Sequence, residues 1–87
     1  VETRRGAADN VVVVGAHRDS VPEGPGITDN GSGTATLLEL ARQLPRLGVN
    51  VKNKVRFAFW GAEELGLFGS TAYVADQVAN GQVANIA

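Results

Sequence analysis

The sequence VVVVGAH, residues 11–17, decides the fold. A run of four valines followed by glycine is typical of a strand that is buried on both faces, as in the interior of a parallel sheet. We expect this strand to end at Gly15-Ala16, which places His17 just past its carboxyl end. Functional sites of open α/β sheets usually lie at that end of the strands.

Three further segments extend the pattern to a strand, helix, strand, helix order. Residues 32–44 repeat apolar side chains at helical spacing, and Pro45 and Gly48 are expected to end this helix. Residues 54–60 alternate with a period of two and predict a second strand, and residues 66–79 predict a second helix. This β-α-β-α order predicts an α/β fold with a parallel or mixed sheet and a right-handed crossover.

The remaining segments are predicted to be loops and turns. Residues 21–33 are rich in glycine and proline, which predicts an ordered loop that is long enough to be functional. At the amino terminus, residues 1–3 are interpreted as the end of a strand, and residues 4–10 as a polar hairpin turn that leads into Val11.

Composition limits the classes of function. The chain has 87 residues, of which 44% are hydrophobic, so it suffices for one small core. Its net charge of -1 gives no reason to expect nucleic acid or an anionic membrane as a partner. No apolar run approaches the ~20 residues of a membrane span. There is no cysteine, so any metal must be bound by oxygen and imidazole.

The acidic residues are concentrated in two loops that follow the predicted strands. Five of the nine carboxylates, with the only histidine, fall within residues 17–29 and 61–65. Because the carboxyl ends of neighbouring parallel strands meet at one edge of a sheet, we expect these side chains to lie together. Imidazole with several carboxylates suits zinc, manganese or cobalt, and one carboxylate can bridge two ions. A glutamate beside such ligands can accept a proton from water.

Each of these features also has an ordinary structural explanation. A lone histidine is often structural, residues 29–32 are typical of a turn with a helix cap, and Glu63-Glu64 is typical of a solvated helix start. Residues 31–33 at a helix start also suit a phosphate group, but they lack the lysine and the spacing of a P-loop. Trp60 is interpreted as a core or sheet-face residue rather than a substrate contact. The joint occurrence of the acidic clusters at two strand ends favours the metal site.

Three motifs resemble those of a known family. They read GAHxDSV at residues 15–21, GPGIxDNGSG at residues 24–33 and FxxWGAEExGLxGS at residues 57–70. In order and spacing, residues 11–78 resemble the bacterial di-zinc aminopeptidases of the leucyl-aminopeptidase type, which are related to glutamate carboxypeptidase and glutaminyl cyclase. The resemblance implies part of a three-layer αβα zinc-exopeptidase fold.

The resemblance also implies roles for five residues. His17 would bind one zinc ion, Asp29 would bridge both ions, and Glu64 would bind the second. Glu63 would be the general base, and Asp19 would be the carboxylate that orients His17, since a metal-bound imidazole usually donates its other N–H to a carboxylate or carbonyl. Family members also tend to have a cis peptide bond after the bridging aspartate, here between Asp29 and Asn30.

The implied function is the metal-dependent hydrolysis of amino-terminal peptide bonds, with a peptide as the substrate and two zinc ions as cofactors. The resemblance favours a bacterial parent protein that is secreted or attached to the cell envelope. The wording of the motifs favours an aminopeptidase over a carboxypeptidase or cyclase relative. A second function stays open, because some relatives keep this fold, lose the metals and serve as binding domains. Retention of Glu63 and of every ligand expected within these residues favours the enzyme.

One departure from the family is prominent. The family completes its site with an aspartate on the next strand and a histidine much further on, whereas here the only later acid is Asp76, which matches no ligand motif. We therefore interpret residues 1–87 as a fragment of a single zinc-peptidase catalytic domain. We expect this fragment to bind zinc weakly and to have little or no activity. We also expect its uncovered sheet edges to promote self-association.

Overall fold

The four main elements follow one another in the predicted order. A computed structural model describes all residues from Val1 to Ala87. Strand β1 comprises Ala7–His17, helix α1 comprises Gly33–Arg46, strand β2 comprises Asn53–Trp60, and helix α2 comprises Phe68–Ala79. A short helical turn follows at Val83–Asn85. None of the helices is long and apolar enough to cross a membrane.

The two strands form a parallel pair, as the sequence predicts. Gly15 pairs with Ala58, and His17 pairs with Trp60 at the end of both strands. Because α1 connects β1 to β2 and the two strands are parallel neighbours, the three elements form a β-α-β unit. The carboxyl ends of both strands therefore lie side by side.

The two helices cover opposite faces of this sheet. Phe57 of β2 is buried with Leu37 of α1 on one face. On the other face, the guanidinium of Arg56 donates a 2.6 Å hydrogen bond to the hydroxyl of Tyr73 in α2. Since successive side chains of a strand point to opposite faces, α1 and α2 lie on opposite sides of the sheet. The arrangement is an α/β fold with three layers.

The core is small. The buried apolar residues are Val11, Ala16, Leu37 and Phe57. Three of them form one cluster between α1 and the sheet, and partly buried side chains of both strands and of α1 pack around it. His17, which follows Ala16 of this cluster in β1, is also buried. The site thus adjoins the small core at the carboxyl end of β1.

The amino terminus differs from the prediction. Residues 4–10 do not form a hairpin turn into β1, because β1 already begins at Ala7, which pairs with Asn53. Residues 1–3 instead lie against β2, where Glu2 forms an antiparallel bridge with Arg56. The backbone N–H of Phe57 donates to the carbonyl of Val1 at 2.7 Å. Long-range pairing with β2 therefore competes successfully with the local hairpin.

Two helix and strand ends also differ slightly from their predicted positions. Strand β1 includes His17 as its last residue, rather than ending before it. Helix α1 continues through Pro45 to Arg46, and only Gly48, with a φ of 64°, ends it. A proline in the last turn costs a single backbone hydrogen bond at the exposed end of the helix, so it does not terminate the helix by itself.

The glycine-rich loop is ordered and includes a wide turn at Ile27–Ser32. The N–H of Gly31 donates to the carbonyl of Gly26 at 2.8 Å, and Asp29 and Asn30 have backbone angles outside the helical region. The peptide bond between Asp29 and Asn30 is cis, as the resemblance implies. The side-chain oxygen of Asn30 accepts a 3.0 Å hydrogen bond from the N–H of Gly33, at the start of α1.

Candidate metal centre

The candidate site lies where the two parallel strands end. His17 is the last residue of β1, and Glu63 and Glu64 follow Trp60, the last residue of β2. Asp29 reaches the same place from the glycine-rich loop. The structure therefore brings together side chains from three separate segments, at the edge of the sheet where the sequence predicts them.

His17 is the centre of the cluster. Its Nε2 atom lies 2.9 Å from Oδ1 of Asp29 and 3.7 Å from Oε2 of Glu63. One possible ligand atom from each of His17, Asp29 and Glu64 lies within 4.8 Å of the others. The imidazole is buried, whereas the side chain of Asp29 is 77% exposed. The cluster thus combines a buried imidazole with a carboxylate that is open to solvent.

The contact of the second ring nitrogen of His17 determines which tautomer the ring adopts. Nδ1 lies 3.1 Å from the backbone carbonyl oxygen of Asp19. Because a carbonyl oxygen can only accept a hydrogen bond, Nδ1 carries the proton in this contact. Nε2 lies 2.9 Å from a carboxylate oxygen of Asp29, which also only accepts, so the charged ring donates from both nitrogens. When the ring is neutral, Nδ1 keeps its proton and the lone pair is on Nε2. This is the arrangement that a metal ligand needs.

The Asp19 carboxylate makes its shortest contacts elsewhere. Its Oδ1 accepts a 3.1 Å hydrogen bond from the N–H of Glu63, and its Oδ2 accepts a 3.0 Å hydrogen bond from the N–H of Glu64. Oδ1 also lies 3.5 Å from Nδ1 of His17. The carboxylate is therefore near the imidazole, as the predicted orienting role requires, but the backbone carbonyl of Asp19 is the closer acceptor.

These contacts shift three pKa values. Burial lowers the pKa of His17, but the Asp19 carbonyl, Asp29 and Glu63 outweigh it, so the pKa lies above 6.5. Burial raises the pKa of Asp19, but the hydrogen bonds from Glu64 and Glu63 outweigh it, and the pKa lies below 3.8. Burial, with repulsion from Asp29 and Glu63, raises the pKa of Glu64 above 4.5. The site thus gathers more negative charge than its own imidazole neutralises.

The donor set fits a zinc ion. One imidazole nitrogen and carboxylate oxygens, with no sulfur, are ligands that zinc accepts. A bound cation would also relieve the repulsion that raises the pKa of Glu64. Glu63 lies outside the three-residue ligand group, and its side chain is 35% exposed beside His17. Its carboxylate is therefore beside the imidazole but outside the group of possible ligands.

Sequence reasoning missed two supporting residues. The hydroxyl of Thr34, in the first turn of α1, donates a 3.1 Å hydrogen bond to the backbone carbonyl of His17. The N–H of Gly69 donates a 3.0 Å hydrogen bond to the carbonyl of Gly61, which joins the start of α2 to the end of β2. Gly69 belongs to the third motif, but the motif by itself did not reveal this close approach.

Two of the cavities differ in whether they adjoin the candidate site. A cavity of about 350 Å³ borders Asp29 and Glu64 and is lined mainly by the glycine-rich loop. A larger one, of about 660 Å³, lies between residues 1–5 and the carboxyl-terminal end of α1. None of the candidate ligands lines the larger cavity. The smaller cavity is therefore the one of these two that adjoins the candidate site.

Comparison with known proteins finds aminopeptidases among the similar sequences. The chain is 68% identical to an aminopeptidase of Pseudomonas aeruginosa over 74 residues, and these residues cover 84% of the chain. It is 63% identical over 73 residues, again 84% of the chain, to a probable lipoprotein aminopeptidase, LpqL, of Mycobacterium tuberculosis. It is 58% identical over 72 residues, or 83% of the chain, to aminopeptidase Y of Saccharomyces cerevisiae.

The matched residues correspond to only 13% of the Pseudomonas and yeast proteins and 14% of the mycobacterial one. The chain thus spans a small part of the length of these relatives. The family model for peptidase family M28 matches residues 1–87. The match includes all three motifs and each of the clustered side chains. The chain therefore belongs to peptidase family M28.

Proposed function

We propose that this chain is part of the catalytic domain of a zinc-dependent aminopeptidase. The observation that carries the proposal is the convergence of His17, Asp29 and Glu64, whose ligand atoms lie within 4.8 Å of one another at the ends of two parallel strands. The aminopeptidase names of the similar proteins support peptide-bond hydrolysis at an amino terminus.

The proposed site holds two zinc ions when it is complete. His17 would hold one ion, Glu64 would hold the other, and Asp29 would contribute to both. Bound zinc ions polarise a scissile carbonyl and lower the pKa of water. No ligand group other than this one, and no thiolate, is found in the chain.

Glu63 is the proposed general base. Its carboxylate lies beside His17, with Oε2 at 3.7 Å from Nε2, but it is not one of the three clustered ligands. It accepts a proton from the attacking water and passes it to the leaving amine, so that the carboxylate is regenerated at the end of each cycle. Its partial exposure gives the substrate access to it.

We further propose that the remaining ligands lie in a longer protein. The only later acid, Asp76, lies in α2 and does not belong to the ligand group. The 87-residue chain alone would then bind zinc weakly and hydrolyse little peptide. The name of the mycobacterial lipoprotein relative is in keeping with a secreted or envelope-attached protein. Cell fractionation with an antibody against this chain tests that location.

A calorimetric zinc titration of the 87-residue chain tests the ligands. We expect weak binding that disappears in His17→Ala and in Asp29→Ala. The matched control, Asp76→Ala, removes a carboxylate outside the cluster and should bind zinc as the parent chain does. Equal binding by the parent chain and His17→Ala would contradict the ligand assignment. Tight binding of two ions would contradict the proposal that ligands are missing from the chain.

Hydrolysis of an aminoacyl-p-nitroanilide by the complete protein tests the reaction. We expect Glu63→Gln to keep its zinc and to lose roughly 10²–10⁴-fold in kcat, the usual contribution of a positioned base. The matched control is Glu23→Gln, an exposed carboxylate of the glycine-rich loop. A complete protein with neither zinc nor hydrolysis would favour the metal-free binding domain instead.

A further inference from the structure

One residue contacts both halves of the site. The backbone carbonyl of Asp19 accepts a hydrogen bond from His17, and its carboxylate accepts one each from the N–H groups of Glu63 and Glu64. Asp19 follows β1, whereas the two glutamates follow β2. The contacts with the glutamates span 44 and 45 residues of sequence.

The turn that holds the two glutamates has an unfavourable backbone on both sides. Ala62 precedes it with a φ of 54°, and Leu67 follows it with a φ of 60°. These values lie in the left-handed region, which side chains with a β-carbon rarely adopt. The turn therefore needs contacts outside itself to persist.

Hydrogen bonds within this turn satisfy the carbonyl of Glu63 but not the N–H groups of Glu63 and Glu64. The carbonyl of Glu63 accepts from the N–H groups of Gly66 and Leu67 at 3.0 and 2.9 Å. The N–H groups of Glu63 and Glu64 instead point back to β1, where the Asp19 carboxylate accepts both. Paired N–H donors on one carboxylate are stronger than neutral hydrogen bonds. Asp19 is thus the contact that ties the turn to the neighbouring strand end.

We propose that Asp19 is a positioning residue for the Glu63-Glu64 turn, in addition to its contact with His17. Its backbone carbonyl sets the imidazole, and its carboxylate sets the general base and the second metal ligand. Strand pairing brings the two halves of the site together, and the Asp19 carboxylate then fixes the turn relative to the imidazole. The effect on zinc and hydrolysis rests on the proposed function, but the effect on the turn does not.

Replacement by asparagine separates the two contacts of Asp19. Asp19→Asn keeps the backbone carbonyl that orients His17, but it places an amide NH₂ against one of the two N–H donors. One hydrogen bond is lost, and two donors then face each other. The turn should loosen, while β1 and the imidazole keep their places. If the Asp19 carboxylate did nothing except orient His17, Asp19→Asn would leave the turn unchanged.

Hydrogen exchange in the zinc-free complete protein tests the contact itself. With residue-level detection by mass spectrometry, we expect Asp19→Asn to speed exchange of the Glu63 and Glu64 amides by at least about tenfold. Exchange within β1 should not change. The matched control, Glu23→Gln, should exchange as the parent protein does. Unchanged exchange at Glu63 and Glu64 in Asp19→Asn would overturn the proposal.

Kinetics of the complete, zinc-loaded protein test the consequence. We expect Asp19→Asn to lower kcat by at least about tenfold, with a change in KM of less than about threefold, because the base is misplaced while binding persists. Asp19→Glu, which restores a carboxylate, should recover part of kcat and of the amide protection. If Asp19→Asn fails to fold, Asp19→Glu and Asp19→Ser are compared in the same way.

The outcomes separate the two proposals. Asp19→Asn could lose amide protection while the parent protein neither binds zinc nor hydrolyses peptide. That result would overturn the aminopeptidase proposal and leave the positioning role in place. Normal zinc binding and hydrolysis, with full amide protection in Asp19→Asn, would overturn the positioning role and leave the aminopeptidase in place.

Discussion

His17 and Trp60 occupy equivalent positions at the ends of neighbouring parallel strands. The pairing continues one step further, because the N–H of Arg18 donates to the carbonyl of Trp60 at 2.9 Å. This register places the segment after Trp60 beside the imidazole. A shift of one residue would turn His17 to the other face of the sheet. Register therefore controls whether His17 and Glu63 can act together.

Zinc binding should depend on pH through His17. Its pKa lies above 6.5, because its acceptors outweigh the effect of burial. Zinc needs the neutral imidazole, so affinity should fall as pH decreases through this raised pKa. Calorimetric titrations across this range measure the effect. Without zinc the sign reverses: the charged imidazole stabilises the fold fully below 6.5, and this contribution is lost as pH rises through the raised pKa.

The His17→Ala variant serves as the control for the pH dependence of stability. It should remove the pH dependence that originates from the imidazole. A zinc affinity that stays constant as pH falls well below 6.5 would contradict the assignment of His17 as a ligand.

Gly69→Ala should destabilise the chain and weaken the site. A β-carbon there would overlap the backbone oxygen of Gly61 and would lie 2.9 Å from its nitrogen. Overpacking of this kind costs about 1–3 kcal/mol in the free energy of unfolding. This cost exceeds the stability that alanine usually adds when it replaces glycine in a helix. Urea denaturation measures the cost. The control is Gly24→Ala, since a β-carbon at Gly24 meets nothing within 4 Å.

Arg56→Ala should loosen α2 from the sheet. The guanidinium donates hydrogen bonds to Tyr73 and to Glu2, both at 2.6 Å, and its side chain is only 25% exposed. Loss of these partly buried, charge-assisted contacts should cost about 1–3 kcal/mol in the free energy of unfolding.

The comparison for Arg56 is Arg42→Ala. Arg42 also donates to a carboxylate, that of Glu39, but both side chains are more than half exposed on α1. Exposed ion pairs contribute little, so this variant should unfold at nearly the parent urea concentration. Equal destabilisation by the two arginine variants would contradict the prediction, because the contact with α2 would then stabilise the fold no more than an exposed ion pair does.

Self-association of the isolated chain remains a prediction. The apolar residues Leu65, Leu67, Phe68, Val74 and Val78 are more than half exposed on and before α2. The sheet contains only two strands, with isolated bridges beyond them. Both features favour contact between copies. Sedimentation velocity should show a mass that grows with concentration, and a monomer at every concentration would contradict this.

Much of the fold could be predicted from local patterns. The valine run, the alternation at residues 54–60 and the helical spacing at residues 32–44 each depend on neighbours within a few positions, so sequence alone reveals them. The α/β order follows from these elements. The acidic clusters were also recognisable from their residue types and their positions after strands, whereas the role of each residue rests on the resemblance of the three motifs to a family.

The tertiary structure decided what depends on distant partners. Residues 1–3 could pair with either strand, and they pair with β2 rather than β1. No local sequence pattern indicates which strand they choose. The close approach of Gly69 to Gly61 and the contact of Thr34 with His17 are likewise visible only in three dimensions.

The sequence by itself determined the elements, their order and the side chains available for a metal site, since these depend on residue type and short-range spacing. Only the tertiary structure decided that the Asp19 carboxylate turns toward Glu63 and Glu64 while its carbonyl holds His17. The physical reason is that hydrogen-bond partners 44 and 45 residues apart become neighbours only after the parallel strands have paired in one register.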